Sequence, residues 1–379
     1  MVKITIIGWY GTETIGDRAI LAGLVSLFSS VYNDFQIQLG SIYPFFTERS
    51  LLDDFSFMQK CSSPNLKIIL FDTQKIKELD MAIQNCDMIV MGGGPLMGMY
   101  SLYMVEYAFE KARKLHKRAV VLGCGVGPMR RKIYERSLVN IMRNIDLAIF
   151  RDEISASEYN KLSGRNDNFY VSVDPSVFAA MVFKCDTMLG DCAKDKIIAC
   201  LREFPIEYKI NKKIDETKIN NKLLGIIKGY TECQNKEVLL LPMHTFAVGT
   251  DDRVFLNSLH WKIGTDKVSV ENNPLTLEQC LHYFSTASFC IGMRYHSIVL
   301  QTILNGRNII LDYTDPNTGK TGNFIKQIDA VDAYKNKYIN LQLDKQLDLP
   351  ISTMQFTIDP QLVTKYREIY VQSIKKITL

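Results

Sequence analysis

Short apolar segments alternate with longer amphipathic segments along most of this 379-residue chain. In the first half the apolar segments are bounded by glycine or aspartate and are predicted strands at residues 3–7, 36–39, 67–71, 88–91, 119–123, 147–150 and 169–173. The segments with helical periodicity between them include residues 17–29, 103–115 and 131–144. Nearly continuous apolar strands separated by helices are typical of a sheet covered on both faces, so the pattern predicts a parallel, doubly wound α/β sheet.

The alternation is interrupted after Asp174-Pro175 and then starts again, which predicts a second α/β unit. Its predicted strands are residues 197–201, 237–241, 267–270, 289–291 and 308–312. A chain of this length is also long for one hydrophobic core. We therefore expect two Rossmann-like domains, at 1–185 and 186–355, with the change between them near 180–195.

A closing helix is predicted over 356–379. It begins at Asp359-Pro360, a helix-capping residue followed by proline at the first helical position, and its apolar residues recur at helical spacing. Packing of this helix back on the body is the favoured interpretation. The alternative is a basic amphipathic membrane contact that uses Lys365, Arg367, Lys375 and Lys376.

Charge and cysteine content exclude several classes of protein. The net charge of +4 suits an anionic substrate or a loose membrane-surface contact, but it is far too small for a nucleic-acid-binding surface. The nine cysteines form no C-x-x-C pair and no Cys/His metal cluster, so we expect a reducing cytosol, no disulfides and no metal site. No signal-peptide pattern and no apolar run of about 18 residues occurs, which predicts a soluble or peripheral, cytoplasmic protein.

The segment Gly292-Met293-Arg294-Tyr295-His296-Ser297 carries the strongest chemical signal. It follows a predicted strand and opens an apolar helix, whose N-terminus favours anions. Arg294 adds a planar fork suited to carboxylate or phosphate, and His296 adds a group that exchanges protons near neutral pH. The pair predicts a small-anion site with proton chemistry, although either residue alone is more often structural.

Three further glycine-rich loops follow predicted strands, where open α/β sheets bind their ligands. The first, residues 8–17, runs into a helix and has Asp17-Arg18 where a phosphate-binding P-loop needs lysine and then serine or threonine. It also lacks G-x-G-x-x-G spacing, so it matches neither nucleotide fingerprint. Asp17 is either a helix cap or a catalytic residue. The loops at 92–96 and 123–128 allow close approach of the backbone to a ligand, and Gly93 and Gly94 are the candidate contacts.

Acidic and histidine residues elsewhere have structural interpretations. Asp152 or Ser155 can cap the helix that follows the strand at 147–150. Asp251 and Asp252 are adjacent and should point apart on a helix, so they are not expected to hold one metal ion. His116, His260 and His282 have no matching ligand spacing and are assigned to the core or the surface.

Taken in order, the loops resemble those of the polysaccharide pyruvyl transferase family over nearly the whole chain. The matching motifs are G-x-x-G…G-D at 8–17, G-G-G-x-L at 92–96, G-x-G-P at 125–128, R-D-x-x-S at 151–155, D-P at 174–175, Arg202 after a strand, P-x-H…D-D at 242–252, G-M-R-x-H at 292–296, and Tyr313 with Lys320. Tyr295 departs from the pattern, since leucine is usual there, and it could alter the fit of the acceptor rather than the chemistry.

The resemblance implies a GT-B-type fold with the active site in the interdomain cleft. It implies transfer of pyruvate from phosphoenolpyruvate to two hydroxyls of one sugar, giving a cyclic ketal and phosphate, with no cofactor. Arg202 and Arg294 would bind the donor and Lys320 would add a third positive charge. His296 would be the general acid, and Asp17, from the first domain, the base.

The resemblance also implies an acceptor sugar in a capsule, exopolysaccharide or cell-wall polymer precursor, free or carried on a polyprenyl diphosphate. Trp9 and Tyr10, inside the first glycine loop, are the candidate acceptor contacts, and a lipid-linked acceptor would bring the protein to the inner face of the membrane. Two alternatives stay open: a GT-B nucleotide-sugar glycosyltransferase and a non-catalytic sugar-binding relative. The acceptor's hydroxyl pair and the oligomeric state are not predicted.

Overall fold

We analysed a computed structural model of the chain. The structure describes residues 1–62, 66–127, 129, 131–164, 167–186, 196–205, 208–209, 215–246, 250–315, 319–344 and 354–378. Contacts between residues divide the chain into unit 1 (Met1–Glu13, Asp17–Val182 and Pro360–Leu379) and unit 2 (Thr14–Gly16 and Phe183–Asp359). The change of unit at Val182 lies inside the region where the strand pattern is interrupted.

Unit 1 is an alternation of strands and helices around one parallel sheet. Its elements are β1 (Val2–Ile7), α1 (Ile15–Ser29), β2 (Phe35–Ser41), α2 (Pro44–Lys60), β3 (Lys67–Asp72), α3 (Ile76–Gln84), β4 (Met88–Met91), α4 (Leu102–Lys114), β5 (Arg118–Cys124), α5 (Lys132–Arg143), β6 (Leu147–Phe150), α6 (Glu153–Ser163), β7 (Phe169–Val171) and α7 (Ser176–Asp186). The first two residues of α1 and the residues of α7 after Val182 group with unit 2. The strand order is β3-β2-β1-β4-β5-β6-β7, and every pairing is parallel. The central strands are buried on both faces, as the continuous apolar segments predicted.

Unit 2 repeats the same plan. Its elements are β8 (Lys196–Cys200), α8 (Glu216–Lys228) extended by a π-helical turn (Gly229–Cys233), β9 (Glu237–Leu240), α9 (Asp252–Ile263), β10 (Val268–Val270), α10 (Leu277–Thr286), β11 (Phe289–Gly292), α11 (Tyr295–Leu304), β12 (Asn308–Asp312), α12 (Lys320–Gln327), α13 (Val331–Tyr334) and β13 (Tyr338–Asn340). The strand order is β10-β9-β8-β11-β12-β13, again all parallel. The predicted fold class, two Rossmann-like α/β domains, is confirmed.

The closing helix α14 (Pro360–Thr378) packs on unit 1. Tyr370 is fully buried, and its hydroxyl donates to the Val173 carbonyl at 2.7 Å. The Arg367 guanidinium donates to Ser26 of α1 and to Ser30, the residue after it, so one of the four cations considered for a membrane contact is used in packing. No helix in the described part of the chain is long and apolar enough to cross a membrane.

Candidate functional site

Trp9 and Tyr10, in the first glycine loop, are enclosed in unit 1, with 6% and 4% of their surfaces exposed. Trp9 Nε1 donates to the Pro95 carbonyl at 2.8 Å, and the Tyr10 hydroxyl donates to the Gly92 carbonyl at 2.7 Å. Burial, reinforced by the nearby Asp17 carboxylate, raises the pKa of Tyr10 well above its ordinary value. Both residues support the neighbouring loop, and their contact with an acceptor sugar stays a prediction.

The glycines at 92–94 pack closely against that first loop. A Cβ on Gly94, whose φ is +73°, would lie 2.5 Å from Trp9 Cδ1 and 3.6 Å from Asp17 Oδ1. A Cβ on Gly8 would lie 2.7 Å from Gly93 Cα. The mutual packing of the two loops therefore requires these glycines without any ligand, and substrate binding by Gly93 and Gly94 stays a prediction.

Asp17 lies in the first turn of α1, half-buried, and its Oδ2 accepts from Thr12 Oγ1 at 3.4 Å. Its role as a base stays a prediction. Next to it, Arg18 forms a two-bond ion pair with Asp54 of α2, with both donor–acceptor distances at 2.5 Å. Within the loop, Glu13 (φ +56°) pairs with Arg49 of α2. These two ion pairs fix the loop on α2.

The R-D-x-x-S and D-P motifs stabilise the third glycine loop. Arg151 is buried, and its Nη1 donates to Asp174 Oδ2 at 3.1 Å. A Cβ on Gly125 would lie 2.8 Å from Arg151 Nη2, so the guanidinium packs directly on the loop backbone. Asp152 accepts from the Ser155 amide and caps α6, which confirms the predicted capping.

In unit 2 the two predicted donor-binding arginines occupy equivalent positions on adjacent strands. Cys200 at the end of β8 pairs in register with Gly292 at the end of β11, and each arginine, Arg202 or Arg294, follows two residues later. Neighbouring strands lie roughly 4.8 Å apart. The strand order reverses between β8 and β11, which is the point where open α/β sheets bind ligands. The fold thus brings two cations to the ligand-binding edge of this sheet.

Arg294 is held by a buried carboxylate from another loop. It is the N-cap residue of α11, and its Nε and Nη2 donate to Asp252 Oδ1 at 3.1 and 2.5 Å. Asp252 begins α9 and is 2% exposed. Arg202 makes weaker contacts: Nε with the Glu203 carbonyl at 3.2 Å and Nη2 with Thr250 Oγ1 at 3.4 Å. The direction of the Arg294 guanidinium is therefore fixed more firmly than that of Arg202.

His296 is the second residue of α11 and lies beside an aromatic ring. The Tyr295 and His296 rings meet edge to face with centroids 5.1 Å apart. Lys320 Nζ, at the start of α12, lies 5.4 Å from the Tyr295 ring centroid, which is a cation–π distance. Tyr295 is 4% exposed, so it lies inside unit 2 between His296 and Lys320, where it contributes little surface to an acceptor.

A cavity of ≈ 840 Å³ adjoins Arg202 and Asp252 and runs between α8 and α9. Asn220, Ser258 and Lys262 are among the polar residues that line it. Asn220 Oδ1 is buried and accepts no hydrogen bond within the described residues. The volume is within the range of small-molecule sites, so a ligand has room beside Arg202 and beside Asp252, the partner of Arg294.

The segment Thr14–Gly16 groups with unit 2 and contacts His296. Ile15 N donates to the Met243 carbonyl at 3.0 Å, and Thr14 forms an antiparallel bridge with His244. A Cβ on Gly16 would overlap the His296 ring, with Cε1 at 2.8 Å and Nδ1 and Cγ closer still. Only glycine at this position leaves the imidazole where it is.

Gly16→Ala is therefore expected to displace the His296 ring and to cost about 1–3 kcal/mol of stability through overpacking. The imidazole resonances of His296 in NMR spectra and the unfolding midpoint would both shift. Gly225→Ala is the matched control, because it lies inside α8 with nothing within 4 Å of the added Cβ, and it should stabilise by about 0.5–1 kcal/mol. Unchanged His296 resonances in Gly16→Ala would contradict the contact.

Asp252 contacts Arg294, and the sequence interpretation gave it no role beyond its place in the motif at 242–252. Asp251 and Asp252 do point to different partners, since Asp251 pairs with Arg253 and Asp252 with Arg294. No group of three His, Cys, Asp or Glu side chains in the described ranges is arranged to hold a metal ion. Two sequence features together could have indicated this contact. Arg294 follows a strand and needs a carboxylate partner, and the acidic pair Asp251-Asp252 follows another strand of the same unit.

The comparisons with known proteins agree with the fold and with the family resemblance. The family model for polysaccharide pyruvyl transferase matches residues 15–316. A search of curated proteins gives no significant match. Solved structures with a similar fold include UDP-GlcNAc 2-epimerase from Neisseria meningitidis bound to UDP-GlcNAc (13% identity, 99% of this chain and 100% of that chain, TM-score 0.58) and the corresponding protein from Rickettsia bellii (10%, 100% and 96%, 0.57). At these identities the likeness shows the fold alone, which is GT-B-type.

Proposed function

Because the chain belongs to the polysaccharide pyruvyl transferase family, we propose that it transfers pyruvate from phosphoenolpyruvate to two hydroxyls of one sugar. The product is a cyclic ketal and the leaving group is phosphate. The observation that supports this most directly is the placement of Arg202 and Arg294 at equivalent positions of adjacent strands, with His296 two residues beyond Arg294.

The charge of the donor explains this set of residues. Phosphoenolpyruvate carries a carboxylate and a phosphate close together, and each is matched by a planar guanidinium. Arg202 and Arg294 supply the two guanidinium groups, and the N-terminus of α11 adds backbone N–H groups that favour anions. Lys320, near the Tyr295 ring, supplies further positive charge.

His296 is proposed as the general acid. Its proton goes to C3 of the donor, and the double-bond electrons form that C–H bond, leaving an oxocarbenium-like centre at C2. The first sugar hydroxyl adds to C2 and loses its proton, with Asp17 the proposed base. The C2–O bond to phosphate then breaks, and the second hydroxyl adds and loses its proton. Over the whole reaction the sugar loses two hydroxyl protons. One replaces the proton that His296 gave to C3, and the other protonates the released phosphate.

The proposed acceptor is a sugar in a capsule, exopolysaccharide or cell-wall polymer precursor, either free or on a polyprenyl diphosphate. The mildly basic chain suits an anionic carrier at a membrane surface. No cofactor is proposed, because fixed cations can stabilise the charge on the departing phosphate.

Calorimetry with phosphoenolpyruvate tests the proposal. We expect saturable binding to the wild type and a Kd raised about 10- to 100-fold in Arg294→Ala, because charged hydrogen bonds are lost. Arg307→Ala is the matched control, since Arg307 precedes β12 at the opposite edge of the same sheet, and its Kd should be unchanged. Binding of UDP-GlcNAc in place of phosphoenolpyruvate would overturn the proposal in favour of nucleotide-sugar chemistry.

A further inference from the structure

The carboxylate of Asp252 has hydrogen-bond partners on both oxygens. Oδ1 accepts from Arg294 Nε and Nη2. Oδ2 accepts from the backbone amides of Met243 and His244, at 3.1 and 3.0 Å. Asp252 therefore joins the loop after β9, the start of α9 and the loop after β11, three segments that are separate in sequence.

We propose that Asp252 is a positioning residue that aims the Arg294 guanidinium at the phosphoenolpyruvate donor. The inference rests on the proposed function. Both bonds come from the Nε–Nη2 edge of the guanidinium, and the described residues record no hydrogen bond from Nη1. The Arg294 side chain is still 16% exposed. A guanidinium held along one edge presents its other edge to a ligand in one fixed direction.

The sign of the charge separates this role from simple electrostatics. A carboxylate beside an anion site repels the donor, so its Coulombic effect alone weakens donor binding. Its benefit must come from geometry, because an arginine that is already oriented loses less side-chain entropy when the ligand binds. Removal of the negative charge should therefore strengthen binding if Asp252 acts only by charge, and weaken it if Asp252 positions Arg294.

Asparagine at 252 breaks this arrangement with little change of shape. In the wild type, one carboxylate oxygen accepts from the Arg294 guanidinium and the other accepts from the amides of Met243 and His244. The asparagine side chain has a single oxygen that can accept, so it can serve only one of these two sets of donors. Whichever set keeps the oxygen, the amide NH₂ faces the other donors. Asp252→Asn therefore either releases Arg294 or disturbs the loop after β9.

Asp251→Asn is a closely matched control. It removes the same charge from the adjacent residue, which pairs with Arg253 rather than Arg294. Asp251 is the N-cap of α9, and asparagine is an equally good cap, so the helix should be preserved. Any effect of charge alone appears in both variants.

The experiment is calorimetry with phosphoenolpyruvate on the full chain, at two salt concentrations. We expect Asp252→Asn to raise the Kd on the order of 10- to 100-fold, because a misdirected Arg294 loses charged hydrogen bonds to the donor. Asp251→Asn should bind as the wild type or slightly more tightly. A Kd for Asp252→Asn equal to or below that of the wild type would overturn the inference. No binding to the wild type would instead refute the proposed function.

A second measurement needs no donor. Phenylglyoxal modifies exposed arginines, and mass spectrometry of the digested protein follows Arg294 alone. Its labelling rate should rise severalfold in Asp252→Asn and stay unchanged in Asp251→Asn; an unchanged rate in both would overturn the inference. If Asp252→Asn does not fold, Asp252→Glu takes its place, because it keeps the charge but lengthens the side chain. The Kd for phosphoenolpyruvate and the labelling rate of Arg294 are then expected to rise in Asp252→Glu, and unchanged values of both would overturn the inference.

Discussion

Replacement of His296 by glutamine is expected to lower the rate of phosphate release in the presence of acceptor by about 10²- to 10⁴-fold, the usual contribution of a general acid. Glutamine keeps a hydrogen-bond donor of similar size but cannot give a proton to carbon. The Kd for phosphoenolpyruvate should change much less, because Arg202 and Arg294 carry the main charge interactions. The expected pattern is therefore a large fall in kcat with donor binding retained.

His282→Gln is the control for this variant, because His282 lies exposed on α10 and has no proposed role. Calorimetry and phosphate release would be measured for both variants. A kcat for His296→Gln within a few-fold of the wild type would remove His296 from the proton transfer. A loss of donor binding as large as the loss of kcat would make His296 a phosphate ligand instead.

The fold was predictable because its signal is local and repeated. Strand after strand is an apolar segment that ends in glycine or aspartate, and a parallel sheet follows from the spacing of such segments. The short strand β13 (Tyr338–Asn340) was not predicted. It has only three residues, one of them the buried polar Asn340, so it shows neither an apolar run nor an alternation of apolar and polar residues. Helix α2 was also missed, because it exposes Phe45, Leu52 and Phe55 and so lacks a clean polar face.

The site was only partly predictable, for a physical reason. Residues that follow parallel strands meet at one edge of the sheet. The resemblance to the family implied that Arg202 and Arg294 act together, and the structure shows that their strands are neighbours. The pairing of Asp252 with Arg294 spans 42 residues and depends on side-chain direction. Sequence reasoning considered Asp252 only as part of an acidic pair, which it did not expect to hold a metal ion, and gave it no partner. Only the three-dimensional contacts show which donors each carboxylate oxygen receives.

The glycine loops show the same limit. Three successive glycines predicted close approach to a ligand, and Gly94 does have a positive φ, yet the atoms it approaches belong to Trp9. A glycine in the sequence indicates that other atoms approach the backbone closely, but it does not indicate whether those atoms belong to a substrate or to the protein. The roles of Trp9 and Tyr10 in sugar binding therefore depend on experiment, while their role in supporting the loop follows from their burial and hydrogen bonds.

Arg18→Met is expected to cost about 3–5 kcal/mol in the free energy of unfolding of unit 1, because it removes the guanidinium from the Asp54 carboxylate, which is 1% exposed. The two guanidinium–carboxylate bonds tie the first turn of α1 to α2 inside the protein. Urea unfolding followed by circular dichroism measures the loss, with hydrogen exchange of β1 amides to assign it to unit 1.

The double variant Arg18→Met/Asp54→Leu separates the stability contributed by the ion pair from the cost of a buried carboxylate that has lost its guanidinium. Apolar side chains of similar volume should recover most of the loss, since buried ion pairs gain little over good packing. A loss below about 1 kcal/mol in Arg18→Met would show that water reaches Asp54. Full recovery of stability in the double variant, together with lost turnover, would mean that the ion pair serves the geometry of the first loop and of Asp17, the residue beside Arg18, rather than the stability of unit 1.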